Sequence, residues 1–196
     1  MAYCGYFPES ELMTLRKLNS PLQGHPDRLR LPGIEASTGS LGQGLSIALG
    51  MALAGILDKK DYRAYAILGD GEMQEGQVWE AMMAAPKFKT GNLTVIIDAN
   101  NGQIDGHVSE IMSLDPLAAK LESFGWDVKT IDGHNFAAIA SALPADRTVT
   151  SKPKAIIART IKGKGVSFME NKIEWHGKAP NKEEAERAIA ELLKGA

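Results

Sequence analysis

Cysteine is almost absent from this chain: Cys4 is the only one in 196 residues. A disulfide framework inside the chain is therefore excluded, and the composition fits a reducing compartment such as the cytoplasm. No apolar run approaches the roughly 20 residues that would span a bilayer. The opening MAYCGYFPESEL lacks the basic and apolar blocks of a signal peptide. Nor is there an excess of one charge. Lys and Arg number 22 against 24 Asp and Glu, scattered along the chain, for a formal net charge of −2. That balance gives no nucleic-acid footprint. Internal repeats, low-complexity blocks, a P-loop and a dinucleotide fingerprint are all missing. One glycosylation-type triplet begins at Asn92, but it opens an expected buried strand and is read as chance.

What is present is the material of a globular protein with one good core: 44% hydrophobic and 23% charged residues. After residue 43 helical and extended patterns alternate, which predicts an α/β fold: a doubly wound, mostly parallel sheet with helices on both faces. Residues 43–57 are small or apolar nearly all round (Leu45, Ala48, Leu49, Ala52, Ile56) and predict a buried helix. Strands are expected over 62–68, 93–98, 126–132 and 153–161, the apolar runs reading as buried on both faces. Helices are expected over 75–87, after an Asp115 cap with Pro116 in the first turn, and over 135–143. A last helix is capped by Asn181, with Glu184 at the capping-box position and Gly195 past its end. Residues 1–30 contain no strand, only a short helix opened by Pro8. The whole of 1–196 is read as a single domain, with 1–42 as a helical and loop segment.

The most informative stretch is GDGEMQEGQVWEAMMAAPKFKTGNLTVIIDANNGQIDG (69–106). Asp70 and Asn100 each sit where an apolar run gives way to a glycine-bearing turn. Thirty residues separate them, one helical crossover between parallel strand ends. Ligands bind at those carboxyl ends in open α/β sheets. Two oxygen donors there suit a hard cation such as Mg²⁺, which takes further ligands from water and phosphate. Gly71 lets the backbone approach that phosphate, and the helix starting near Glu75 turns free N–H groups toward it. The segment STGSLGQG (37–44) is a second place of close approach, because Gly39, Gly42 and Gly44 carry no side chain.

The 69–106 stretch resembles the thiamine diphosphate motif, which opens with GDG and ends at an Asn after the next strand. LPGIEASTGSLGQGLSIALGMALA (31–54), QGHPDRL (23–29) and IKGKGVSFMENKIEWHGKAP (161–180) resemble transketolases. The likeness covers nearly the whole chain and is greatest to the cofactor-binding half of two-gene transketolases. It implies thiamine diphosphate and Mg²⁺, with Ca²⁺ or Mn²⁺ able to substitute. By the resemblance, Asp70 gives a carboxylate to the metal, Asn100 a side-chain oxygen and Gly102 a backbone carbonyl, which a glycine permits in a tight turn. Gly39, Ser40, Leu41, Gly71, Glu72 and Asn100 match cofactor-contacting positions, and Lys162 lies near the phosphates. His176 reaches the diphosphate and reaction centre, His25 faces the sugar, and Glu75 lies at a subunit interface linking two active sites. Taken alone, Lys162 also fits an exposed basic turn and Glu75 a favourable helix N-terminus. His134 is read as shaping a turn and is left out of the site.

In that family an activating glutamate comes from a separate pyrimidine-binding domain, for which this chain has no second α/β unit. The expectation is a half-site: a cytoplasmic transketolase subunit of sugar-phosphate metabolism (the pentose phosphate pathway), in a heterotetramer with a complementary pyrimidine-binding subunit that supplies the glutamate and most sugar-phosphate contacts. Neither nucleic acid nor membrane is an expected partner. Two glycine–histidine motifs that similar halves carry upstream are missing. A decayed, non-catalytic thiamine diphosphate-binding fragment and a related thiamine-dependent synthase subunit therefore stay open as alternatives.

Overall fold

The computed structural model describes residues 1–143 and 151–195. Two 3-10 turns, Ala2–Cys4 and Glu9–Thr14, come first, the second following Pro8 as expected. No strand occurs before residue 64. Then come α1 (Gln43–Leu57), β1 (Ala64–Gly69), α2 (Gly76–Lys87) and β2 (Leu93–Ala99). A small hairpin of β3 (Gly102–Gln103) and β4 (Gly106–His107) leads to α3 (Val108–Ile111), α4 (Leu117–Phe124) and β5 (Asp127–Asp132). Among the described residues α5 (Phe136–Ala142), β6 (Lys154–Arg159), a 3-10 turn Ile173–Trp175 and α6 (Lys182–Lys194) follow.

β1, β2, β6 and β5 lie side by side in that order, all parallel. Side chains alternate between the two faces of a strand, and the apolar runs use both. Val95, Ile97, Ala155 and Ile157 point into the larger core with α1, α2 and α4. Ile156, Ala158 and Ile131 point the other way, onto α5. Helices on both faces of a parallel sheet make this the expected α/β fold. Trp126 fastens the larger core, donating its indole N–H to the Met82 carbonyl at 2.7 Å.

Three expectations need correction. β1 is not buried on both faces: it is the sheet edge, and Ile67 is 73% exposed. α1 buries only the Leu45, Ala48, Leu49 and Ala52 side, leaving Ile56 exposed. Asp115 does not cap α4. Pro116, with ψ of 99°, is still extended and is itself the flanking residue. The Asn92 side chain is buried and donates to the Ala52 carbonyl at 2.9 Å, a structural role. Among the described residues no helix is long and apolar enough to cross a membrane.

Candidate cofactor site

The register of β1 on β2 pairs Gly69 with Asp98, so both chains leave the sheet together and Asp70 lies beside the Asn100 turn. Asp70 heads the 3-10 turn Gly71–Gln74. Its Oδ1 accepts the Gly71 N–H at 2.9 Å, and Oδ2 accepts the Asn101 N–H at 2.6 Å. Burial holds the Asp70 carboxyl above its ordinary range, and the neighbouring Asp98 charge adds to that; the N–H bonds from Asn101 and Gly71 oppose it. A buried carboxylate beside a second acid, with no ion pair among the described residues, is a place that a cation would relieve.

The Asn100 amide is fixed at both ends. Its Nδ2 donates to Asp98 Oδ2 at 3.0 Å, and its Oδ1 accepts the Gly102 N–H at 2.8 Å. Asp98 is held in turn by the Thr160 hydroxyl. Sequence reasoning missed Asp98 and Thr160; only the register of β2 with β6 brings them together.

Glycine at position 102 has a reason other than the expected one. The left-handed residue of the turn is Asn101, with φ of 61°. Gly102 is needed for space. A Cβ there would lie 3.0 Å from Asn100 Oδ1 and 3.2 Å from both Lys162 Cδ and Ile173 Cδ1. The loop after β6 thus lays Lys162 across the Asn100–Gly102 turn. His134, set aside from the sequence, steadies that loop: its Nε2 accepts the Ile161 N–H at 2.7 Å. His176, on the exposed turn that follows Ile173–Trp175, is near enough to feel the charges of Lys162 and Asp70. Burial and the Lys162 charge hold its imidazole below its ordinary value, against the pull of Asp70, which favours the neutral ring at neutral pH.

A second group of expected residues flanks the same strand tip. Gly39 (φ 117°) and Gly42 (φ 81°) bend the loop ahead of α1. The His25 ring lies on Gly39, where a Cβ would meet its Cγ at 2.6 Å. Both oxygens of Glu72 are taken by backbone: Oε1 accepts the Gly42 N–H at 2.9 Å and Oε2 the Gly69 N–H at 3.2 Å. Glu72 therefore braces the glycine loop against β1. Gly39, Ser40, Leu41 and Glu72 share a cavity of about 500 Å³. Gly71 is packed closely, since a Cβ would come 2.8 Å from Gln103 Cβ. Glu75 is exposed at the start of α2 and makes no side-chain cap there.

Asp70, Asn100, Gly102 and Lys162 thus form one cluster, with His176 within reach of its charges, and His25, Gly39, Ser40, Leu41 and Glu72 a second beside it. Within the first, Asp70, Asn100 and the Gly102 backbone offer oxygens, the donor type a hard divalent cation takes. Among the described residues no three His, Cys, Asp or Glu side chains gather as a metal site.

The family described as "Transketolase, thiamine diphosphate binding domain" matches residues 3–192. A 6-deoxy-6-sulfo-D-fructose transketolase subunit from Clostridium sp. (strain MSTE9) is 45% identical, over 99% of this chain and 70% of its own length. One of the subunits of an apulose-4-phosphate transketolase from Phocaeicola vulgatus is 42% identical, over 96% of this chain and 66% of its own. The crystal structure of Campylobacter jejuni transketolase superposes with a TM-score of 0.87 at 33% identity, covering 93% of this chain and 30% of that one. The chain thus spans about two thirds of these two subunits and under a third of the Campylobacter jejuni chain.

Proposed function

Since the chain belongs to the transketolase family, through its thiamine diphosphate binding domain, we propose that it is the cofactor-holding subunit of a transketolase. The reaction would move a two-carbon ketol unit from a ketose phosphate, or a similarly anionic ketose, to an aldose phosphate. The observation that carries this reading is the meeting of Asp70, Asn100, Gly102 and Lys162 at the tips of β1 and β2.

Asp70, the Asn100 Oδ1 and the Gly102 carbonyl would hold Mg²⁺. Gly71 and the loop of Gly39, Ser40 and Leu41 would bring backbone to the diphosphate, with the Lys162 ammonium offsetting its charge. Thiamine diphosphate, when bound, supplies the electron sink for cleaving and forming the carbon–carbon bond. His25 and His176 would attend the reacting sugar. A neutral His176 imidazole can accept a proton from a sugar hydroxyl, and His25 can donate a hydrogen bond to a sugar oxygen. Glu75, exposed ahead of α2, is assigned to the subunit interface. A complementary pyrimidine-binding subunit would supply the activating glutamate, and the working unit would be a heterotetramer in the cytoplasm.

Calorimetry with thiamine diphosphate and Mg²⁺, on the chain alone and mixed with a complementary transketolase subunit, tests this. Binding that Asp70→Ala abolishes is the expected result, with ketol transfer appearing only in the mixture. Absence of cofactor binding in both samples, or full binding by Asp70→Ala, overturns the assignment.

A further inference from the structure

Gln74 belongs to neither group of site residues, yet it stands where β3 and the exit of α3 come together. It is half-buried and closes the 3-10 turn that Asp70 opens. Its Nε2 donates to Gln103 Oε1 at 2.7 Å and to the Met112 carbonyl at 3.1 Å. A carbonyl only accepts, so Met112 fixes which end of the Gln74 amide faces it. The second hydrogen of that amide then fixes the oxygen end of Gln103. One side chain thus ties both β3 and the end of α3 to the turn that carries Asp70.

Between those ties the segment closes on itself. Gly102 pairs with His107 and Gln103 with Gly106. Asn101 accepts the Ser109 N–H on Oδ1 at 2.9 Å and the Val108 N–H on its carbonyl at 3.1 Å. At the start of the segment, Asp70 Oδ2 holds the Asn101 N–H at 2.6 Å. Gln103 has little freedom of its own, because its Cβ lies against Gly71, where an added Cβ would stand 2.8 Å away. The Gly102 carbonyl and the Gln103 nitrogen share one planar peptide. Holding Gln103 between Gly71 and Gln74 therefore sets the direction in which the Gly102 carbonyl points.

We propose that Gln74 is a positioning residue which, by fixing the Gly102 carbonyl, sets the preference of the site for Mg²⁺ over Ca²⁺. The proposal rests on the cofactor reading and goes beyond it, since that reading gives Gln74 no role. Mg²⁺ demands near-octahedral oxygens at about 2.0–2.1 Å, whereas Ca²⁺ accepts longer distances and irregular shells. A carbonyl free to swing costs Mg²⁺ more than it costs Ca²⁺.

Electron paramagnetic resonance of Mn²⁺ on the full chain, displaced by Mg²⁺ or by Ca²⁺, reads this without turnover. Thiamine diphosphate is present throughout, and the chain is measured alone and mixed with a complementary transketolase subunit. Gln74→Met keeps the length of the side chain and removes both donors. It is expected to weaken Mg²⁺ by about tenfold or more and Ca²⁺ distinctly less, so the ratio of the two affinities falls. A purely structural loss would weaken both ions alike. Gln74→Glu, which keeps the shape but sets a carboxylate against the Met112 carbonyl, should lower the ratio as well. Gln103→Met should do the same, and the double variant Gln74→Met/Gln103→Met should go no further than Gln74→Met, because the two side chains share one bond. In the metal-free chain, hydrogen exchange at the Val108 and Ser109 amides should be faster in Gln74→Met. An unchanged ratio in the Gln74 variants, with wild-type binding intact, overturns the proposal and leaves the cofactor reading standing. A wild-type chain that holds no ion in either sample overturns that reading, and the role of Gln74 with it.

Discussion

At Asp98 one carboxylate holds two neighbours, the Thr160 hydroxyl and the Asn100 Nδ2. Because a carboxylate only accepts hydrogen bonds, it forces the donor end of the Asn100 amide toward itself and the oxygen end toward the Gly102 turn. Outer residues of this kind orient ligands and typically change metal affinity 10–100-fold. Asp98→Asn is expected to weaken Mn²⁺ binding by about tenfold or more, read by electron paramagnetic resonance. Thr160→Val, which keeps the Asp98 charge and frees its second oxygen, should cost less and separates orientation from charge. Unchanged Mn²⁺ affinity in Asp98→Asn would end the orienting role. That Asp70 and Asn100 meet at neighbouring strand tips was legible in the sequence, because each follows an apolar run and opens a glycine-bearing turn. Asp98 was not, since an acid at a strand end carries no local signature. Its partner Thr160 lies 62 residues away. Glu72 was legible as part of the motif, but its service to Gly42 could be seen only in three dimensions.

α6 shows the opposite balance, because its ends are local chemistry. The capping box read from Asn181 and Glu184 is present in both directions, at 2.8 and 2.9 Å. What the sequence could not show is where α6 goes. Glu191 accepts the Ser167 N–H at 2.6 Å and its hydroxyl at 3.0 Å, tying the helix to the loop that carries Lys162. Backbone N–H bonds, from Asn181 to Glu184 and from Ser167 to Glu191, are the leading reason both carboxyls lie below the usual glutamate range. A depressed folded value means that the stabilisation is complete above the unfolded range and is lost as pH falls through the folded value. Hydrogen-exchange protection of the Ser167 and Glu184 amides, normalised to intrinsic rates, should therefore hold at pH 6 and fall below about pH 4. Glu191→Gln should remove much of that pH response at Ser167 and leave it at Glu184. Protection at Ser167 that is flat with pH in the wild type would show that the tie is not ionic.

For the whole molecule, the order of the strands decides what each apolar run is worth, and the sequence does not contain that order locally. RAYAIL and KAIIAR read alike: short, apolar and followed by a polar turn. Pairing over long separations puts β6 between β2 and β5 and leaves β1 at the edge. Ile157 is 1% exposed and packs in the larger core, whereas Ile67 is 73% exposed on the uncovered side of β1. Fold class was readable because alternation of the two periodicities is a local property of the chain. Edge or centre was not, because it depends on which strand fills the next place. Ile157→Ala removes side-chain atoms from a closed core and should cost about 2–4 kcal/mol through lost transfer energy and the cavity left behind. Ile67→Ala removes the same atoms from a site already in water and should change stability by under about 0.5 kcal/mol. Urea unfolding of the two variants, compared at equal m-values, measures the difference. Equal losses would mean that Ile67 is covered in the folded protein in solution, by another polypeptide or another copy of this one. Strengthening of that loss with protein concentration would then identify the β1 edge as part of an assembly.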